Sequence, residues 1–104
     1  MEKEELLTEI KRLVLLQEPD AEIILYGSYA RGDNGPDSDL DLLILLQKDT
    51  VSYFDEKRIS YPLYALEIQT QQIISPFIKS KNTWYEKYPN TALFINIKKD
   101  GISL

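Results

Sequence analysis

Three observations predict a small α/β fold, a mixed β-sheet packed by helices. Leu6, Leu7, Ile10, Leu13 and Val14 recur at helical spacing, with Glu4, Glu5, Glu9, Lys11 and Arg12 on the opposite side. Two short apolar runs, Glu22 to Tyr26 and Asp39 to Leu46, read as strands separated by dense turn residues. Helical patterns then alternate with one more strand-like segment, Gln72 to Lys79.

Taken in order, the first helix ends before Pro19. Glu22-Ile23-Ile24-Leu25-Tyr26 is a buried strand that stops at Gly27, and Asp33-Asn34-Gly35-Pro36-Asp37 is a turn. The second strand is apolar without alternation from Leu42 onward, so both its faces are expected to be covered. Asp55 to Gln69 reads as a helix with Ile59, Leu63, Leu66 and Tyr64 as candidate core residues; Pro62 interrupts it, and a start at Pro62 is the alternative. Pro76 places the Gln72 to Lys79 strand at a sheet edge. Asn82 to Tyr88 is a short helix anchored by Trp84, Tyr85 and Tyr88, and Thr91 to Lys99 is a last helix with Gly101 near its C-terminal cap.

The 104 residues, 43% hydrophobic and 28% charged, suit one domain over residues 1–104, with no repeat or linker. No run approaches the ~20 apolar residues of a membrane helix, and the acidic start Met1-Glu2-Lys3-Glu4-Glu5 lacks the features of a signal peptide. The absence of cysteine makes the cytoplasm the expected location and excludes thiolate catalysis; the absence of histidine excludes an imidazole base. Only oxygen ligands remain for a metal, which favours hard ions such as magnesium or manganese. A net charge of −5 argues against an extended nucleic-acid surface but is compatible with a free nucleotide escorted by metal.

Two segments carry chemistry. In Gly27-Ser28-Tyr29-Ala30-Arg31-Gly32, a glycine lets the backbone approach a ligand, and a short helix starting there would aim free N–H groups at an anion. Ser28 adds a hydroxyl donor, while Arg31 is either a phosphate ligand or a partner of Asp33 or Asp37. Alone, such a turn is an ordinary strand-to-helix connection. In Ser38-Asp39-Leu40-Asp41-Leu42, however, two carboxylates lie two apart in a strand and share a face, which is costly near a core unless a cation sits between them. The combination points to nucleotide chemistry. Lys79, Lys81, Lys98 and Lys99 form a weaker candidate patch, and Tyr61, Tyr64, Trp84, Tyr85, Tyr88 and Phe94 are read chiefly as packing residues rather than a surface for adenine or a partner.

Together the two segments resemble the signature of the DNA polymerase β-like nucleotidyltransferase superfamily, and the short chain resembles its minimal, antitoxin-like branch. The resemblance implies a nucleotidyltransferase fold, a triphosphate held at Gly27 and Ser28, and magnesium held by Asp39 and Asp41, the catalytic pair. It also implies AMP transfer from ATP to a hydroxyl acceptor and, within this branch, pairing with a small helical HEPN-type protein. One feature departs from the pattern. The superfamily's third carboxylate, often the general base, falls near Ile73 or Ile74, and the nearest acid, Glu67, is read as a solvated helix residue. Loss of a positioned base can cost ~10²–10⁴ in rate. The alternatives are therefore a catalytically degenerate module that acts by binding a partner and, last, a small-molecule transferase.

Overall fold

The computed structural model describes all of residues 1–104. Its elements in chain order are α1 (Lys3–Gln17), β1 (Glu22–Tyr26), α2 (Ser28–Arg31), β2 (Leu40–Leu46), α3 (Tyr53–Thr70), β3 (Ile74–Ser80), α4 (Lys81–Lys87), α5 (Ala92–Asp100) and β4 (Ile102–Ser103). The strands form one mixed sheet in the order β3-β2-β1-β4. β1 runs antiparallel to β2 and to β4, while β2 and β3 are parallel. No helix is long and apolar enough to cross a membrane.

The apolar run of β2 lies at the centre because it is the one strand that needs cover on both sides. Leu40, Leu42, Ile44 and Leu46 face α1 and α3, where Leu6, Ile10, Val14, Ile59, Leu63 and Leu66 complete the main core. Leu43 and Leu45 face the other way and pack against Trp84 of α4 and Ile97 of α5. Asp41 alternates onto this second face, at the end of β2 that the helices leave open.

Several expectations are corrected. The third helix neither starts at Pro62 nor breaks there; it begins at Tyr53 and runs through the proline to Thr70. Its start is fixed by a capping box in which Ser52 Oγ accepts the Asp55 N–H and the Asp55 carboxylate accepts the Ser52 N–H. Burial of Ile59 and Leu63 on either side of Pro62 holds the helix together despite the missing N–H. Tyr64, a candidate core residue, is 62% exposed. The third strand begins at Ile74 rather than Gln72, because its ladder with β2 starts at the Leu40–Ile74 pair.

Pro76 does lie in an edge strand. The Leu40 N–H bonds the Ile73 carbonyl, so residues 73, 75 and 77 aim their backbone groups at β2 and residues 74, 76 and 78 aim theirs outward. Proline therefore falls where no ladder donor is needed. The two-residue β4 was not foreseen, since a segment this short carries no periodicity. Gly101 caps α5 with ordinary extended dihedrals. Its glycine identity follows from space, because a Cβ there would stand 2.5 Å from the Ile97 carbonyl oxygen and 2.8 Å from Ile24 Cγ2.

Candidate active site

The antiparallel register of β1 and β2 sets Tyr26 directly opposite Asp41. The next residue, Gly27, turns the chain off the sheet with φ 75° and ψ −156°, a conformation essentially closed to other residues. The turn is also crowded: a Cβ on Gly27 would lie 2.6 Å from Asp41 Oδ2. Glycine is thus required twice, by its dihedrals and by the carboxylate seated against it. The two motifs, separated by a loop in sequence, meet at this contact.

Past Gly27 the chain forms the single turn of α2. The Ala30 and Arg31 N–H groups both donate to the Gly27 carbonyl, while those of Ser28 and Tyr29 have no backbone partner. Gly32 closes the turn in the left-handed region at φ 81°, with open space where a Cβ would be. Ser28 and Arg31 therefore leave from a rigid turn bracketed by two positive-φ glycines.

Asp39 stands just before β2 and is exposed, and Asp41 is half-buried within it. Burial and then the charge of Asp39 push the Asp41 carboxyl up, with Arg31 partly offsetting them. Burial and the Asp41 charge likewise raise the Tyr26 phenol. This corner of the sheet is thus electrostatically unfavourable to its own anions. The Arg31 Nε donates to Asp33 Oδ2 at 3.2 Å and its Nη1 lies 3.9 Å from Asp100 Oδ2, so the predicted pairing with Asp33 occurs and that with Asp37 does not.

Two side chains do more here than the sequence suggested. Gln72 accepts from the Tyr29 hydroxyl at 2.6 Å and donates to the Ser38 and Ile73 carbonyls at 3.0 Å each. One carboxamide thus ties the α2 turn to the residue preceding Asp39. The only sequence signal was its place at the start of a predicted strand, which suggested a backbone role. Glu67 is on a helix, as expected, but is not simply solvated: its Oε1 accepts the Ile74 N–H at 2.8 Å and anchors the outward side of β3.

No group of three or more histidine, cysteine, aspartate or glutamate side chains converges anywhere in the chain. The β2–β3 register puts Ser75 beside Asp41 and, one step back, Ile73 beside Asp39. The neighbouring strand accordingly offers a hydroxyl and an alkyl group, and no carboxylate. What remains is a pair of hard oxygen donors that repel one another. That donor set suits a magnesium-like ion, which is commonly held by one or two carboxylates and completed by substrate phosphates and water.

Residues 3–98 match the family model described as nucleotidyltransferase domain. Over 106 aligned residues the chain is 29% identical to a Methanocaldococcus jannaschii protein named putative protein adenylyltransferase, with all of both chains covered. Two solved structures share the fold. One is a crystal structure of a toxin–antitoxin with AMP-PNP, similar with a TM-score of 0.61 and 16% identity over 98% of this chain and 72% of that one. The other is a mutant of the toxin–antitoxin MntA-HpeT, with a TM-score of 0.62 and 15% identity over 92% and 69% of the respective chains.

Proposed function

The chain belongs to the nucleotidyltransferase domain family, and from that premise we propose that it acts as a single domain, in the cytoplasm, to transfer AMP from ATP to a hydroxyl on a partner protein. The relative from M. jannaschii supports protein as the acceptor, and the toxin–antitoxin neighbours support a dedicated partner, of the helical HEPN type that the resemblance implies. The observation that carries the reading is the contact of Gly27 with Asp41, which makes one site of the turn and the carboxylates.

In this reading the triphosphate lies over α2. Ser28 donates its hydroxyl and, with Tyr29, a free backbone N–H to phosphate oxygens. Arg31 leaves Asp33 to neutralise phosphate charge. Asp39 and Asp41 hold Mg²⁺ or Mn²⁺, which when bound screens the phosphates and acidifies the attacking hydroxyl. The acceptor oxygen bonds to the α-phosphorus, the α–β bridging oxygen departs with pyrophosphate, and the acceptor proton passes to water. Gln72 is a positioning residue, holding Tyr29 and Ser38 at a fixed separation.

A second reading rests on Ile73 and Ser75 standing where a third carboxylate would serve as base: the fold binds nucleotide and partner without turnover. Calorimetry with ATP, with and without magnesium, on the chain and on Asp39→Asn tests the site. Magnesium-dependent binding that the substitution abolishes is expected, and binding indifferent to Asp39 would refute the site. Label transfer from α-³²P-ATP to the partner separates the two readings.

A further inference from the structure

The long helix α3 has two apolar faces. Ile59, Leu63 and Leu66 are buried in the core. On the other side Tyr53, Lys57, Tyr61, Tyr64 and Ile68 follow at steps of four, four, three and four, forming a straight stripe along roughly 22 Å of helix. Tyr53, Phe54, Tyr61, Tyr64 and Ile68 are between 62% and 81% exposed. For side chains of this size the open area is on the order of 600 Å². That is at or above the largest apolar patch a monomer ordinarily leaves, and near the ~800 Å² per partner of a standard interface.

The stripe borders a groove between α3 and the free edge of β3. A cleft of about 310 Å³ is lined by Lys57, Ser60, Tyr61, Tyr64, Ile74 and Pro76, and a second of about 190 Å³ continues it past Lys57 to Lys79. The edge is unsuited to a strand. Of the three outward positions from 74 to 78, Ile74 has its N–H bonded to Glu67, Pro76 has none, and only Ile78 offers a donor. A helix needs no such donors, and a stripe of this period accepts one by interdigitation.

Charge narrows the occupant further. In a chain of net charge −5 the groove carries Lys57, which has no carboxylate partner. Lys57 Nζ lies 5.1 Å and 5.6 Å from the Tyr53 and Tyr61 ring centres, whereas Lys79 turns to the α4 face, over Phe77 and Tyr88. Glu56 is the one acid in the lining, beside Lys57. A second copy is the poorer occupant, since it brings the same lysine and the same net charge.

We propose that the α3–β3 groove docks a helix of the partner protein, with an aliphatic seam against Tyr61 and Tyr64 and a carboxylate opposite Lys57. The docking rests on the transferase reading only for its purpose. Ile73, 51% exposed, lies one residue before the groove lining and beside Asp39 in the extended register, so the groove ends next to the strand ends that carry the carboxylates.

The test is site-specific photocrosslinking in the cells that make this chain, with Tyr64→benzoylphenylalanine and, as control, the same replacement at exposed Thr8 on α1. The crosslinked segment of the partner is identified by mass spectrometry. The expected product maps to an amphipathic, acid-flanked helix of another protein, and Lys57→Glu cuts its yield about tenfold. For the purified pair, Tyr64→Ser weakens Kd about tenfold or more while magnesium–ATP binding is unchanged. A crosslink to a second copy, to an extended segment, or at a yield equal to the Thr8 control would overturn the proposal, as would indifference to Lys57. Asp39→Asn keeps the two readings apart: docking that survives while label transfer is lost upholds both, docking with no transfer in any variant removes the transferase alone, and transfer without the crosslink removes the docking alone.

Discussion

Replacing Gly27 with alanine perturbs the site in two separable ways. The backbone at φ 75°, ψ −156° costs a non-glycine residue roughly 1–3 kcal/mol. The new Cβ also meets Asp41 Oδ2 at 2.6 Å, so either the carboxylate or the turn must move. A combined loss of about 3 kcal/mol lowers the melting temperature by roughly 12–24 °C in a domain of this size. Gly32→Ala is the internal control. It meets the left-handed penalty, roughly 1–2 kcal/mol, with nothing within 4 Å of its Cβ. Thermal unfolding by circular dichroism should therefore show the larger loss at Gly27. Calorimetry should show magnesium–ATP affinity reduced about tenfold or more, at least ~1.4 kcal/mol, by Gly27→Ala and little changed by Gly32→Ala. In an Asp41→Ala background the clash is gone, and Gly27→Ala should cost only its backbone part, giving a coupling of roughly 0.5–3 kcal/mol. Additive losses, or equal effects of the two glycines on nucleotide binding, would refute the argument that the turn and the carboxylate form one site.

Further outcomes follow from the same geometry. Asp41→Asn should raise the melting temperature in metal-free buffer while abolishing magnesium-dependent ATP binding. Because the fold raises the Asp41 pKa, the native carboxyl costs nothing below its ordinary range near ~3.9 and is penalised once ionised, so the stability gap between variant and parent should open as pH rises and close again with magnesium; a gap that widens toward acid would contradict this. Gln72→Leu leaves the Tyr29 hydroxyl and the Ser38 carbonyl without their partner and should cost roughly 1–3 kcal/mol, together with a weaker nucleotide complex; unaltered affinity would remove Gln72 from the site. Asp55 is held well below the usual carboxylate range by Lys48, then by the Ser52 N–H and Arg58, so its stabilisation is present above ~3.9 and lost as pH falls. Melting temperatures of Asp55→Asn and the parent should therefore converge in acid, and parallel curves would dismiss the network as a source of stability.

How legible each part was depended on how local its cause is. α1, β1 and β2 were readable because their apolar spacing and their stops at Pro19 and Gly27 lie within a few residues. The start of α3 had a local signal in Ser52 and Asp55, but Pro62 masked it: a proline's cost is visible in sequence, whereas the burial of Ile59 and Leu63 that offsets it is not. Tyr61 and Tyr64 looked like packing residues because aromatic identity says nothing of which helix face meets the core. Trp84, of the same class, is 2% exposed. The bonds from Tyr29 to Gln72 and from Ile74 to Glu67 involve a rotamer or a register, neither of which composition encodes.

By itself the sequence determined the fold class, the exclusion of imidazole and thiolate chemistry, and the two motifs, since each depends on residue type and near-neighbour spacing. Only the tertiary structure decided that Gly27 packs against Asp41, that Ser75 and Ile73 occupy the positions beside the carboxylates, and that one face of α3 stays open. Those facts depend on strand register and on which surfaces the core consumes. A shift of one residue would turn Asp41 to the opposite face, and no local pattern around Asp41 reports which strand lies beside it.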